Sequence, residues 1–137
     1  MADVDVVEVL GRTDLFGDVG TRGLKSIAKR ARVVEHDAGA EIAQEGGGAA
    51  GFHVIAEGTA SVDVHDRERP ELGPGDYFGE IALIDGKPRS ATIVATSPLT
   101  TVALVSWDFR PILKDEPGVA LGLLEVMCAR LRAAEAS

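Results

Sequence analysis

The feature that most constrains the fold is a series of short segments with a two-residue period between Arg32 and Val105. In the segments 52–57 and 60–64 apolar residues alternate with mostly polar ones, and Gly58 separates the two. Such alternation places the apolar side chains on one face of a strand. Short strands with turns at regular spacing are typical of β-sandwiches and barrels. We therefore predict a mainly β fold over 32–105, with about eight strands in a jelly roll.

Helical patterns replace this alternation at both ends of the chain. Within 3–31 apolar residues recur at helical spacing, and Thr21 is a suitable N-cap for a second helix. Within 106–135, Ser106 is a suitable N-cap, and Pro117 suits the first turn of the last helix. A chain of 137 residues is long enough for one core. We predict a single domain with helices flanking the β-roll.

The charge distribution limits the possible partners. The formal net charge of −8 argues against nucleic acid, because phosphate contacts need clustered Lys and Arg. One basic group stands out on the second predicted helix and the strand after it, and it consists of Lys25, Lys29, Arg30 and Arg32. Such a group is either a solvated face or a docking surface for an acidic partner.

The single cysteine, Cys128, excludes an intrachain disulfide and fits a reducing compartment. It lies among apolar residues of the last predicted helix, where we expect an inert, packed thiol. The N-terminus is acidic and lacks a signal-peptide pattern, and the most apolar stretch, 91–105, is interrupted by Pro98. We therefore expect a cytoplasmic protein without a membrane span.

The run from Phe78 to Thr92 predicts a binding site for a small phosphorylated ligand. Gly79 follows a predicted strand, and the backbone amides of 79–82 are placed to converge on an anion. Arg89 offers a planar fork of donors for a phosphate. Glu80 is an acceptor, which suits a ligand that also has sugar hydroxyls. The alternative is that Glu80 and Arg89 form a buried structural ion pair.

This run resembles the phosphate-binding cassette of the cyclic nucleotide-binding domain, a family that includes bacterial catabolite activator proteins, protein kinase A regulatory subunits and cyclic nucleotide-gated channels. The shared pattern is Phe-Gly-Glu, an aliphatic residue, Ala-Leu, a glycine turn, and Pro-Arg followed by a small residue and Ala. The resemblance implies that Glu80 binds the ribose 2′-hydroxyl and that Arg89 binds the cyclic phosphate. It implies further contacts from the amides of Gly79, Ile81, Ala82 and Ala91.

The same resemblance implies a sensor that binds cAMP or cGMP and has neither a catalytic residue nor a bound cofactor. Ser90 follows the arginine, where a hydroxyl can bond guanine, but serine also occurs in bacterial cAMP receptors, and we favour cAMP. In the family the last helix covers the base and transmits the signal. The candidates for this covering role are Leu124, Met127, Cys128 and Leu131, although an apolar stripe at this spacing also suits plain core. An effector protein or a second copy is the expected partner of this helix.

Two interpretations other than a sensor are open, a cupin-like metal enzyme and a structural module. A cupin-like metal enzyme needs clustered histidines, whereas His36, His53 and His65 are separated in sequence and are expected to be solvated. Nucleophile-elbow, phosphate-loop and dinucleotide motifs are missing from the sequence, so we do not expect an enzyme. A structural jelly roll that has lost nucleotide binding is the remaining alternative.

Overall fold

The computed structural model describes residues 4–43, 51–64, 67–79 and 91–136, which form eight strands and four helices. The N-terminal helices are α1 (Val6–Gly11) and α2 (Thr21–Ala28), and the C-terminal helices are α3 (Ser106–Asp115) and α4 (Pro117–Ala136). The strands are β1 (Arg32–His36), β2 (Glu41–Ala43), β3 (Phe52–Glu57), β4 (Ala60–Val64), β5 (Arg67–Leu72), β6 (Tyr77–Phe78), β7 (Thr92–Ala95) and β8 (Leu99–Leu104).

The strands form two four-stranded antiparallel sheets. The first sheet has the order β1-β8-β3-β6, and the second has the order β2-β7-β4-β5. Neighbours in each sheet are mostly distant in sequence, which is the connectivity of a jelly roll. The turn between β3 and β4 requires glycine, since Gly58 has φ +93° and a Cβ there would lie 2.3 Å from the Pro98 carbonyl oxygen. The predicted eight-stranded roll with flanking helices is confirmed.

The ends of several elements differ from the sequence prediction by small amounts. Gly20, not Thr21, is the N-cap of α2, and Val105, not Ser106, is the N-cap of α3. Pro117 opens α4 as predicted. The charged segment after β4 contains a six-residue strand, β5, at the edge of the second sheet. Its side chains are mostly exposed, so charged residues are tolerated there without an alternating pattern.

The described residues form two apolar cores, one on each face of the first sheet. The inter-sheet core lies between the sheets and is built from Ile55, Ala60, Phe78, Ile93, Ala95 and Leu99. The helix-side core lies between the first sheet and the helices, and its main members are Leu10, Leu15, Phe16, Ile27, Phe52, Val54, Val102, Leu104, Phe109, Ile112, Val119 and Leu123. The first sheet is therefore covered on both faces, whereas β5 of the second sheet is largely exposed.

The expectation that the histidines are solvated is wrong for His53, whose exposure is 6%. The alternation along β3 is real, with Phe52 and Val54 in the helix-side core and His53 on the opposite face. That opposite face is buried as well, because it faces the second sheet. His36 is half-buried, and His65 lies outside the described residues.

Candidate functional site

The candidate site begins where β6 leaves the first sheet. Phe78 is 7% exposed and stacks on the His53 ring, with centroids 5.1 Å apart and planes inclined by 13°. Gly79 follows with φ +84°, a left-handed conformation that glycine adopts without a steric penalty. The chain therefore turns sharply at the residue where the sequence predicts the anion-binding amides to start.

The described part of the predicted site consists of its two ends. Ala91, at the far end, is half-buried and packs against the inter-sheet core that also contains Phe78. Both ends of the predicted site therefore lie at the same core. The remaining predicted ligand contacts, Glu80, Ile81, Ala82, Arg89 and Ser90, lie outside the described residues.

A hydrogen-bonded chain of polar side chains lies next to Phe78 in the first sheet. The Thr101 hydroxyl oxygen is 2.9 Å from Nδ1 of His53 and 3.2 Å from Nε2 of His36. A hydroxyl has one proton to donate, so at least one of the two ring nitrogens donates to it. Burial lowers the pKa of His36 below its ordinary 6.5, which favours the neutral ring. The buried polar groups thus satisfy one another beside the start of the candidate site.

A second polar contact, the tyrosine node, joins the candidate site to the terminal helix. It consists of Tyr77, Asp14 and Arg130. The Tyr77 hydroxyl donates to the Asp14 carboxylate and accepts from the Arg130 guanidinium, which also lies 5.4 Å from the tyrosine ring centroid. The ring itself packs on Phe52, with centroids 5.6 Å apart. A residue two positions before Gly79 is therefore bound to both the N-terminal segment and α4.

The family of the chain follows from comparison with known proteins. Residues 33–116, more than half of the chain, match the model of the cyclic nucleotide-binding domain. The chain belongs to this family. A cyclic nucleotide-gated potassium channel of Mesorhizobium japonicum is 35% identical over 113 residues, which are 82% of this chain and 31% of the channel. The chain thus spans about a third of that curated relative.

Two solved structures have a fold similar to that of this chain. The N-terminal domain of a transcriptional regulator from Streptomyces coelicolor superposes with a TM-score of 0.82 at 28% identity, covering 93% of this chain and 92% of that one. The regulatory domain of Toxoplasma gondii protein kinase A, crystallised with cAMP, has a TM-score of 0.71 at 25% identity, covering 80% of this chain and 44% of that one.

The terminal helix, α4, is apolar on two opposite faces. One face holds the helix to the domain through buried Val119 and Leu123. The predicted base-covering residues are split between environments: Met127 is half-buried against the helix-side core, whereas Leu124 and Leu131 are each 61% exposed. Cys128 is also exposed, so the expectation of an inert, packed thiol is wrong. It lies on the face directed away from the domain.

Two features of this cyclic nucleotide-binding domain escaped the sequence analysis. Arg130 lies eleven residues after Val119 and four after Val126, so it falls on the buried face of α4. A charged residue within an apolar stripe was the signal that it has a buried partner. The pairing of His36 with His53 had no such signal, because it depends on β1 and β3 both neighbouring β8.

The described ranges contain no candidate metal site and no membrane-spanning helix. No group of three or more His, Cys, Asp and Glu side chains in those ranges is placed to hold a metal ion. In the same ranges, every helix is too short or too polar to cross a lipid bilayer.

Proposed function

We propose that this domain is a non-catalytic sensor that binds cAMP in preference to cGMP through the segment from Gly79 to Ala91. The observation that carries the proposal is the family's cassette pattern, located where β6 ends in a left-handed glycine. The kinase regulatory domain of similar fold was crystallised with cAMP, which supports the choice of ligand. Glu80 binds the ribose 2′-hydroxyl, and Arg89 binds the phosphate oxygens together with the amides of Gly79, Ile81, Ala82 and Ala91.

We further propose that α4 transmits the signal. A ligand shifts a conformational equilibrium only through its different affinity for the two states, so the site must be mechanically connected to the element that moves. The tyrosine node supplies a connection, since Arg130 of α4 bonds a residue two positions before Gly79. Leu124, Met127, Cys128 and Leu131 remain the candidates for covering the base.

The proposed partner of α4 outside the domain is a second copy of this chain. Leu121, Leu124 and Leu131 are 59%, 61% and 61% exposed and lie on one helical face with Cys128. A helix that is apolar on two opposite faces normally has both faces covered.

Light scattering should report a dimer that Leu124→Glu dissociates. A parallel pairing predicts a disulfide between the two Cys128 thiols under mild oxidation, whereas an antiparallel pairing predicts none.

Calorimetric titration with cAMP, cGMP and 5′-AMP tests the ligand assignment. Micromolar affinity, about −8 kcal/mol, is expected for cAMP. Arg89→Ala should weaken binding by about 1.5–3 kcal/mol, the scale of lost charged hydrogen bonds, and Glu80→Gln should weaken it less. The matched control is Arg69→Ala on exposed β5, which should bind as the wild type does.

The outcomes separate the sensor from its alternatives. If Arg89→Ala keeps wild-type affinity, the assigned site is wrong. A domain that has lost nucleotide binding would show no thermal shift with either cyclic nucleotide. Chromatography of cAMP after prolonged incubation with the protein should recover it unchanged, and a decrease would contradict the non-catalytic role. A cytoplasmic location is part of the proposal, supported by the exposed free thiol of Cys128.

A further inference from the structure

A groove runs along the exposed side of α2, on the flank of the domain formed by its helices. It consists of adjoining concavities of about 550, 350 and 120 Å³. The first two share Ser26, Lys29 and Glu116, and the third shares Arg30 with the second. The three therefore form one continuous depression, which we call the α2 groove. None of its lining residues belongs to the predicted nucleotide site.

One wall of the α2 groove is basic. It is lined in succession by Arg22, Lys25, Lys29, Arg30 and Arg32. Arg22 lies 3.2 Å from Glu116, measured from Nε to Oε1. The other four cations form no ion pair or side-chain hydrogen bond in the part of the chain that the structure describes. Four exposed, unpaired cations in a row are unusual on a chain of net charge −8.

The opposite wall carries acceptors. Asp108, Asp115 and Glu116 line it, from α3 and the corner before α4, and Ile112 contributes an apolar side chain. The phosphodiester backbone of DNA offers these carboxylates no hydrogen-bond donor. Glu116 already accepts from Arg22 and Ser26. An extended peptide suits both walls, because its backbone N–H groups can donate to Asp108 and Asp115 while its acidic side chains meet the lysines and arginines.

We propose that the α2 groove docks an acidic, extended segment of a partner protein. The eight residues of α2 are about 12 Å long, so about four residues of an extended peptide lie alongside the helix. The bound segment contacts both α2 and the corner from which α4 begins. This proposal goes beyond nucleotide binding and is independent of it.

The test uses fluorescence anisotropy with a labelled peptide of alternating Glu and Ala, at low salt and without nucleotide. The wild type should bind this peptide and not the matched peptide of alternating Lys and Ala. The variant Lys25→Glu/Lys29→Glu should weaken binding by about tenfold or more. The matched control, Arg67→Glu/Arg69→Glu, makes the same change in net charge on exposed β5 and should bind within about twofold of the wild type.

Several results would overturn the proposal. Equal weakening in both charge-reversal variants would show diffuse attraction instead of a groove. The proposal also fails if the wild type does not bind the acidic peptide, or if it prefers duplex DNA or phosphatidylserine vesicles. Lys25→Ala/Lys29→Ala, checked for an unchanged melting temperature, gives the answer if the glutamate variant does not fold. Because nucleotide is absent, a negative result leaves cAMP titration as a separate measurement.

Discussion

The two faces of the first sheet are buried in different ways. On the helix side, the Phe52 ring packs edge-on against Phe16, with centroids 5.7 Å apart, and in a tilted arrangement against Tyr77, with centroids 5.6 Å apart. The core around it consists mainly of apolar side chains. On the side facing the second sheet, the same strand presents His53, which shares the Thr101 hydroxyl with His36. One face is thus stabilised by aromatic packing, and the other contains a polar network whose members satisfy one another.

The two faces of the sheet therefore contribute differently to the structure. Apolar packing is non-directional and tolerates small shifts, whereas a hydrogen-bonded network fixes its members in one arrangement. The network lies beside Phe78, at the start of the candidate site. The helix-side core contains the contacts that hold α4. We expect stability to reside mainly on the helix side and precise positioning on the inter-sheet side.

The largest effect is expected for Phe52→Ala. Phe52 is fully buried between two other rings, so truncation leaves a cavity and should lower the free energy of unfolding by about 3–5 kcal/mol. Phe78→Ala is the matched change on the other face, where described ring contacts are limited to His53, and it should cost less. Equilibrium urea denaturation measures both. An equal or larger loss for Phe78→Ala would show that stability does not reside mainly on the helix side.

Thr101→Val probes the polar network at nearly constant volume. Thr101 is 0% exposed, and valine cannot bond either imidazole, so we expect a loss of about 1–3 kcal/mol in unfolding free energy. Thr100→Val is the control, because that half-buried hydroxyl has no side-chain hydrogen bond in the described part of the chain. If the two variants are equally stable, the network contributes nothing to the inter-sheet face.

The sequence predicted most of the fold because alternation and glycine turns report local geometry. The pattern at 60–64 identified β4, and Pro117 identified the start of α4. It failed where burial depends on what covers a strand: His53 occupies the polar phase of its strand yet faces the second sheet. The prediction of a packed Cys128 was wrong for the converse reason, since an apolar helical segment does not reveal which of its faces is covered.

The sequence predicted the chemistry of the candidate site but not its contacts with the N-terminal segment and α4. Gly79 and Ala91 lie at the two ends of the segment that the cassette pattern marks, and the roles of Glu80 and Arg89 remain predictions. The tyrosine node was not predicted, because it brings together residues from three distant parts of the chain. Its members are adjacent only after β6 enters the first sheet and α4 packs on the helix-side core.

Tyr77→Phe tests that node with a smaller expected effect. The ring keeps its contact with Phe52, and the hydroxyl that bonds Asp14 and Arg130 is removed. We expect a loss of about 0.5–1.5 kcal/mol in unfolding free energy and faster amide exchange in the second half of α4. Arg130→Ala should speed the same exchange, whereas Arg132→Ala, on an exposed position of α4, should not. Unchanged exchange in both node variants would show that packing alone holds the helix.

The smallest effect is the pH dependence contributed by His36. Its pKa in the folded protein is lowered by burial below the ordinary 6.5, so the unfolded chain binds more protons in the interval between the two values. This contribution to stability is complete above pH 6.5 and is lost as the pH falls through the lowered pKa. The urea midpoint should therefore decrease on acidification, and less so in His36→Gln. A steeper decrease in that variant would mean that the folded protein favours the charged His36 imidazole beside Thr101 and His53. Protonation of His36 would then stabilise the inter-sheet face instead of destabilising it.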